Sequence, residues 1–280
     1  LVVSELMYQP SGDNLAEYIE LLNISSSDTL NLEEVRFTQG VEFNFTGSAI
    51  VSLAPGERVL IARDLAAFET AYGVNHPVAG VFANGTALSN GGERLKLEDA
   101  NNGTILEFAY DDQPPWPVAP DQSGYSLVLI APHTHPDQAL SENWRASLQS
   151  GGSPGGADGA LFPADPLGDA NGNGEPDLVD YALGNDLGLS PILPGFRWNG
   201  DVPAGKDALL VTVPINLAAE GVEIELHFST NLTEWQAGTS HLELVSTEAL
   251  GDGRAMRSWR IKPPLRDQPH LYMRLRVLGR

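Results

Sequence analysis

Apolar positions in the first 150 residues come in short bursts separated by turn-forming residues, which is the pattern of a β-sandwich or barrel. "LVVSEL" (1–6) opens the series, and "AEYIELLN" (16–23) follows, with Tyr18, Glu20 and Leu22 alternating against Ile19 and Leu21. "NLEEVRFTQ" (31–39), "VEFNF" (41–45) and "AIVSL" (49–53) continue it, and "APGE" (54–57) sets a turn before "RVLIA" (58–62). One helix is predicted within this stretch, over "DLAAFETAYG" (64–73). There Asp64 suits the N-cap, three alanines favour the interior and Gly73 suits the position after the last turn. Strands then resume in "VAGVF", "LSNGGERLKLEDANNGTILEFAY" and "GYSLVLI", in which "SNGGE" and "ANNG" read as hairpin-type turns.

The pattern stops at residue 150. "SGGSPGGADGALFPADPLG" (150–168) is rich in Gly, Pro and Ala without periodicity and reads as a linker. A short apolar helix is predicted over "LVDYALG" (178–184). Alternation returns in "ALLVTVPI" (208–215), "VEIELHFST" (222–230), "HLELVST" (241–247), "MRSWRI" (256–261) and "LYMRLRVL" (271–278). The expectation is therefore an all-β chain: a β-sandwich over 1–150, a linker over 151–190 and a second small β-sandwich over 191–280. A length of 280 residues also favours two cores over one.

Charge sharpens this division. Residues 1–200 hold 27 acidic and 7 basic side chains, a net of −20, whereas residues 201–280 hold 10 and 9, a net of −1. A total of −21 makes phosphate backbones and anionic lipid poor partners, so no nucleic acid and no membrane insertion are expected. The absence of cysteine excludes disulfides, thiolate metal sites and cysteine catalysis. The start at Leu1, without Met or a leader, reads as a processed or excised portion of something longer. Of the five N-x-S/T sequons, at Asn23, Asn44, Asn84, Asn102 and Asn231, most are expected by chance in a chain with many polar turns.

The densest run of oxygen ligands is "DANGNGEPDLVD" (169–180). Counted from Asp169, oxygen side chains stand at positions 1, 3 and 5 (Asp169, Asn171, Asn173) and Gly174 stands at 6. Glu175 then offers its carbonyl at 7, with Asp177 at 9 and Asp180 at 12. This is the spacing of a calcium loop, in which a tight coil wraps a cation that needs six to eight oxygens and position 12 enters from the following helix. Asp169, Asn171, Asn173, Glu175, Asp177 and Asp180 are thus the expected ligands of a Ca²⁺ ion. Aspartate at 12 departs from the usual glutamate. The competing reading is a solvated acidic linker, and a single calcium between two domains would serve to stiffen their joint.

Other candidates are weaker. His133 and His135 of "HTHPD" could chelate zinc, but they lie in a Pro-flanked stretch with no third ligand near in sequence, so a surface loop is the simpler reading. The pairs Glu33–Glu34 and Asp111–Asp112 arise freely in so acidic a chain. Trp116 and Tyr125 could form an aromatic shelf for polysaccharide, although a Trp in a Pro-rich turn more often plugs the end of a sandwich. No nucleophile elbow, phosphate loop or dinucleotide fingerprint is present.

The blocks "VVSELMYQP", "AEYIELLNIS", "VEFNF", "LAPGERVLIARDLAAFETAYG", "LSNGGERLKLEDANNGTILEFAYDD", "PPWPVAPDQSGYSLVLI" and "NWRAS…GGSPG" occur in an order that resembles bacterial lamin-tail domains over residues 1 to about 156. That resemblance implies an immunoglobulin-like β-sandwich with no catalytic residues to carry over. "DPLGDANGNGEPDLVDYALGND" resembles dockerin- or thrombospondin-type-3-like calcium loops. "VEIELHFSTNLTEWQAGT" with "LYMRLRV" resembles the C-terminal domain that follows such loops in secreted proteins of the Verrucomicrobia and Planctomycetes type. Dockerins pair two loops to bind cohesin, and only one loop stands here. The expectation is a non-enzymatic, secreted or cell-surface structural, adhesion or assembly protein. Its expected partners are other protein subunits or cell-surface polysaccharide. A homo-oligomer or filament built by exchange of the N-terminal strand is an alternative, and a metal-dependent hydrolase is the remotest one.

Overall fold

The computed structural model describes residues 1–159, 162, 165–185, 191–199, 208–219, 221–238, 240–250, 254–263 and 265–279. The chain divides into two compact units, Leu1–Asp158 and Gly159–Arg280. Parts of the stretch read as a linker, at 160, 161, 163, 164 and 186–190, lie outside the described residues.

The first unit runs β1 (Val2–Met7), β2 (Tyr18–Leu22), β3 (Leu30–Asn31), β4 (Arg36–Gln39), β5 (Phe43–Asn44), β6 (Ser52–Leu53) and β7 (Arg58–Ala62). It continues with α1 (Leu65–Tyr72), β8 (Val78–Val81), β9 (Glu93–Glu98), β10 (Thr104–Tyr110), α2 (Pro120–Ser123), β11 (Leu127–Leu129) and β12 (Trp144–Ala146). A six-stranded sheet in the order β12-β11-β1-β2-β7-β8 faces a four-stranded sheet, β10-β9-β4-β5, with β3 and β6 paired beside them. Between the sheets lie Val3, Leu6, Ile19, Leu21, Val59 and Ile61 from the first and Phe37, Phe43, Leu95, Leu97 and Phe108 from the second.

The alternate positions of the larger sheet are buried too. Met7, Tyr18, Leu60 and Ala62 pack with Phe68 of α1 on its far face. A sheet covered on both faces needs apolar residues at both phases, which is why "RVLIA" reads as a continuous apolar run. Helix α1 begins where Asp64 accepts the Ala67 N–H (2.9 Å) and ends at Gly73, φ +91°. It supplies the crossover that lets β7 and β8 run parallel.

One turn reading and one strand reading differ from the fold. "ANNG" does join a hairpin, β9 to β10. "SNGGE" does not, because β8 and β9 belong to different sheets. Its Gly92 (φ +87°) instead lies against the chain after β10, where an added Cβ would sit 2.5 Å from the Tyr110 carbonyl oxygen. "NLEEVRFTQ" is two strands rather than one, broken by a turn in which Glu34 has φ +64°.

The second unit holds α3 (Asp177–Leu183), β13 (Gly195–Asn199), β14 (Ala208–Asn216), β15 (Val222–Ser229), β16 (Gln236–Ala237), β17 (Leu242–Ala249), β18 (Arg254–Ile261) and β19 (Tyr272–Gly279). Its sheets are β13-β14-β18-β17 and β16-β15-β19. Val211, Val213, Ile215, Ala255 and Ile261 of the first meet Leu226 and Phe228 of the second. Leu183 of α3 completes this core, with Val179 packed against it. Helix α3 is thus an element of the second sandwich.

Candidate functional site

The 169–180 loop is shaped by its own side chains. The Asn173 N–H donates to Asp169 Oδ1 and to Asn171 Oδ1 (3.0 Å each), and the Gly174 N–H donates to Asp169 Oδ2 (3.0 Å). The Glu175 N–H donates to Asn173 Oδ1 (2.7 Å). Gly172 and Gly174 take φ of +71° and +88°, which is the conformational reason for glycine at these positions. Asp180, the fourth residue of α3, turns its carboxylate back into the coil. Its Oδ2 accepts from Asn171 Nδ2 (2.8 Å) and from Asn173 Nδ2 (2.9 Å).

Three of the six expected ligands therefore meet by their side chains, Asn171, Asn173 and Asp180, and Asp169 is tied to the same coil through the Asn173 and Gly174 N–H groups. The other two do not join them by their side chains. Glu175 is exposed, in keeping with a position that would contribute a backbone carbonyl. Asp177 Oδ1 accepts the Ala170 N–H (2.8 Å) and its own N–H donates to the Gly168 carbonyl (2.7 Å), so it closes the base of the loop.

Among the described residues no three His, Cys, Asp or Glu side chains gather as a metal-binding group. The side chains that meet are the amides of Asn171 and Asn173 on the Asp180 carboxylate, through their Nδ2 groups; the carboxylate and amide oxygens of the loop are hard donors of the kind calcium takes and zinc does not favour. Asp180 is the telling member. It is 1% exposed, and its Oδ1 has no hydrogen-bond partner while Oδ2 has two. A buried carboxylate oxygen without a donor is costly, and a cation held by these four side chains and the Glu175 carbonyl would complete it.

A second cluster of acids was not singled out in the sequence. Glu5 and Glu20 are directly paired across β1 and β2, and each is 1% exposed. Glu5 Oε1 accepts from Tyr18 Oη (2.6 Å), Ser126 Oγ and the Ser153 N–H (2.9 Å), and Oε2 accepts from Ser153 Oγ (2.9 Å). Glu20 Oε1 accepts from Ser4 Oγ (2.6 Å) and Arg58 Nε (3.0 Å), and Oε2 accepts from the Gly155 N–H (2.7 Å). Burial pushes both carboxyls up. For Glu20 the neighbouring Glu5 adds to this and Ser4, Arg58 and Gly155 oppose it, leaving it at about 8.

These bonds seat the Gly/Pro-rich segment 151–155 on the far face of the large sheet, beside α1. The segment ends in a buried ion pair in which Arg145 bonds both the carboxylate and the carbonyl oxygen of Asp158. Residues 151–158 are therefore fastened to the rest of the first unit, Ser153 and Gly155 by their N–H groups and Asp158 by its carboxylate and carbonyl oxygen. The signal was present in sequence as single acids inside the apolar strands "VVSEL" and "YIELL"; what they hold lies about 135 to 148 residues away.

The remaining candidates are surface or packing features. His133 and His135 are exposed, and Asp137 spends Oδ1 on the Ala139 N–H (3.0 Å). Glu33 and Glu34 are exposed, and Asp111 accepts the Gln113 N–H (2.8 Å). Trp116 is half-buried against the first core, its ring 6.2 Å from that of Trp144, which itself stacks on Phe108 at 5.5 Å. It serves as a plug. Asn23, the first sequon, is fully buried and its amide bonds the Asp28 and Leu53 carbonyls.

Residues 1–112 match the family model of the lamin tail domain. The match runs from β1 to just beyond β10, so it spans most of the first sandwich. Comparison with curated proteins and with solved structures returned no match. The architecture is all-β: an immunoglobulin-like sandwich similar to the lamin tail domain, followed by a second β domain.

Proposed function

We propose that this chain is a non-catalytic structural module of the cell exterior, working in adhesion or assembly, with a structural calcium site in its second unit. Its partners on this reading are other protein subunits or cell-surface polysaccharide. Lamin tail domains are structural immunoglobulin-like domains, and the similarity of residues 1–112 to them supports a structural role. The use made of buried acids supports it further. Glu5, Glu20 and Asp158 all spend their oxygens on holding strands and the 151–158 segment together.

The observation that carries the calcium reading is Asp180, buried on α3 with one oxygen lacking a donor and the other facing Asn171 and Asn173. The ion would be held by Asp169, Asn171, Asn173, the Glu175 carbonyl and Asp180. It would supply charge neutralisation and a fixed geometry for the entry into α3. The test is thermal unfolding of the full chain with calcium and with chelator. Calcium should raise the transition of the second unit, and joint replacement of Asp169 and Asp180 by alanine should remove that response. An unchanged transition, with no calcium retained on equilibrium dialysis, would refute the reading.

A further inference from the structure

We infer that the solvent face of β19 is a binding strip for a carboxylate-bearing polysaccharide, with Arg274, held flat on Trp235, as its principal anion clamp. This rests on the reading of the chain as a cell-surface module and adds the class of glycan and the residues that take it.

The strip begins in an uneven distribution of charge. Residues 254–280 hold eight of the chain's 16 Lys and Arg but one of its 37 Asp and Glu, a net of +7. Residues 1–253 carry 8 basic and 36 acidic side chains, a net of −28. Every Lys and Arg of the first unit lies in an ion pair with an acid of that unit. The acidic remainder of the chain repels a polyanion, but at physiological salt that repulsion fades within about 8 Å. It therefore directs such a ligand to the C-terminal strands without forbidding its approach.

Strand alternation sets the cations in a row. Met273 and Leu275 of β19 pack on the second core, opposite Phe228 and Leu226 of β15. Tyr272, Arg274 and Arg276 therefore face outward, about 7 Å apart along the strand, opposite Ser229, His227 and Glu225. All three are exposed.

Arg274 differs from the other exposed arginines that follow β17. Arg260 pairs with Glu243 (3.3 Å), Arg266 with Asp267 (2.9 Å) and Arg276 with Glu225 (3.6 Å). No carboxylate among the described residues pairs with Arg274. Its guanidinium carbon lies 4.6 Å from the centre of the Trp235 ring, and its Nη2 lies 3.5 Å from His227 Nδ1. His227 is in turn tied through Nε2 to Glu225 Oε2 (3.0 Å). A guanidinium stacked on an indole keeps its plane while its remaining N–H groups stay available, and that fork matches a planar carboxylate with two parallel bonds. Holding it in place beforehand removes part of the ordering cost of binding.

Trp235 is itself fixed. Its Nε1–H donates to the Leu232 carbonyl (3.2 Å), and Asn231 Oδ1 accepts the Thr233 and Glu234 N–H groups (3.0 and 2.9 Å). Leu232 takes φ +65°, a left-handed conformation rare for leucine, although its side chain is 55% exposed. Backbone strain of this kind persists only where the surroundings over-determine it, and ligand clamps are among the places it collects. Here it delivers Trp235 to Arg274. Rings beside cations suit a sugar acid, whose C–H faces are apolar and whose carboxylate projects from the ring edge. An acidic protein surface would engage the cations and leave Trp235 and Tyr272 unused.

The experiment is calorimetric titration of the full chain, in calcium-containing buffer, with oligogalacturonate too short to gel. Its methyl-esterified form, which lacks the charge, and dextran sulfate are the comparison ligands. Oligogalacturonate should bind and the ester should not, and affinity should fall as salt rises from about 0.05 to 0.2 M. Arg274→Ala should weaken binding about tenfold, the loss of one charge-assisted fork. Arg274→Lys keeps the charge without the fork and should recover only part of that loss; it also carries the test if the alanine variant does not fold. Trp235→Ala should weaken binding with every cation still present. Arg260→Ala removes the same charge from the other sheet and should bind as the unaltered chain does. Equal weakening by Arg260→Ala would overturn the strip in favour of general charge attraction. Tighter binding of dextran sulfate than of oligogalacturonate would overturn the carboxylate assignment. Self-association abolished by Arg274→Ala, without oligogalacturonate binding, would give the strip to an acidic protein surface and overturn the glycan. Absence of all binding would overturn the inference and leave the cell-surface reading, which fails separately if the chain is found inside the cell.

Discussion

Gly152 is the position at which the seating of segment 151–155 is most directly testable. Its φ is +70°, and a Cβ built on it would lie 2.1 Å from Glu5 Oε1, 2.4 Å from Tyr18 Oη and 2.8 Å from Ser126 Oγ. Those atoms belong to buried groups in mutual hydrogen bonds, so the neighbour cannot give way without breaking the network around Glu5. Gly152→Ala therefore combines two costs. The left-handed backbone costs an L-residue about 1–2 kcal/mol. Displacing the Glu5 carboxylate from Tyr18 and Ser126 leaves a buried acceptor short of donors, at about 1–3 kcal/mol or more for a charged group. The sum is about 2–5 kcal/mol, a large share of the roughly 5–15 kcal/mol by which a domain is stable. Gly151→Ala is the matched control. Its φ is +98°, but the nearest atom to its Cβ is Tyr72 Cε1 at 3.8 Å, so only the backbone cost applies. Urea unfolding of the first unit, followed by tryptophan fluorescence, should show Gly152→Ala losing about 1–3 kcal/mol more than Gly151→Ala, the donor-loss share alone. Equal losses would refute the view that Glu5 locks this segment through close approach.

The other expectations concern the same unit. Glu20 has a folded-state carboxyl near 8, above its ordinary value of 4.5, so its contribution is fully present below about 4.5 and lost as pH rises through about 8. Urea midpoints should fall between pH 5 and pH 9, and Glu20→Gln should flatten that fall; a midpoint rising with pH over this range contradicts the sign. Asp158→Ala leaves the Arg145 guanidinium, 2% exposed at its side chain, without its carboxylate and should cost about 3–5 kcal/mol. A loss below about 1 kcal/mol in the first unit's unfolding free energy would mean the pair is dispensable.

Features set by neighbouring residues were legible in the chain itself. Helix α1 lies within the span expected from Asp64 and Gly73, because an N-cap acid and a left-handed glycine act over a single turn. The β9–β10 hairpin followed from "ANNG" for the same reason. Within the 169–180 stretch, Asn171 and Asn173 meet Asp180 while Asp169 holds the Asn173 and Gly174 N–H groups, contacts that a coil of twelve residues makes within itself. What composition could not show was the fate of 151–158. Gly and Pro do signal the absence of a helix or strand there, and none forms. They do not signal freedom, because irregular backbone still carries N–H groups that a distant carboxylate can satisfy. Glu5 and Glu20 look like breaks in an apolar pattern until their partners, some 135 or more residues on, are brought to them.

The two units use acids in a common way, and they differ in how evenly those acids are supplied with donors. Irregular backbone lacks a ladder partner, and a carboxylate offers two oxygens with about four acceptor positions in place of one. Glu5 and Glu20 do this for 153–155, and Asp169 and Asp177 do it for the loop before α3. The acidity of residues 1–200 is thus partly internal, spent on backbone where no strand is available. Donors are well matched to acceptors in the first unit: Glu5 receives four and Glu20 three, spread over both oxygens of each. Asp180 receives two, both on Oδ2, and Oδ1 faces none. Burial alone does not mark a carboxylate as a ligand, since all three are equally hidden. What sets Asp180 apart is its uneven supply of donors, which is why the proposed cation is placed there and not at the Glu5–Glu20 pair.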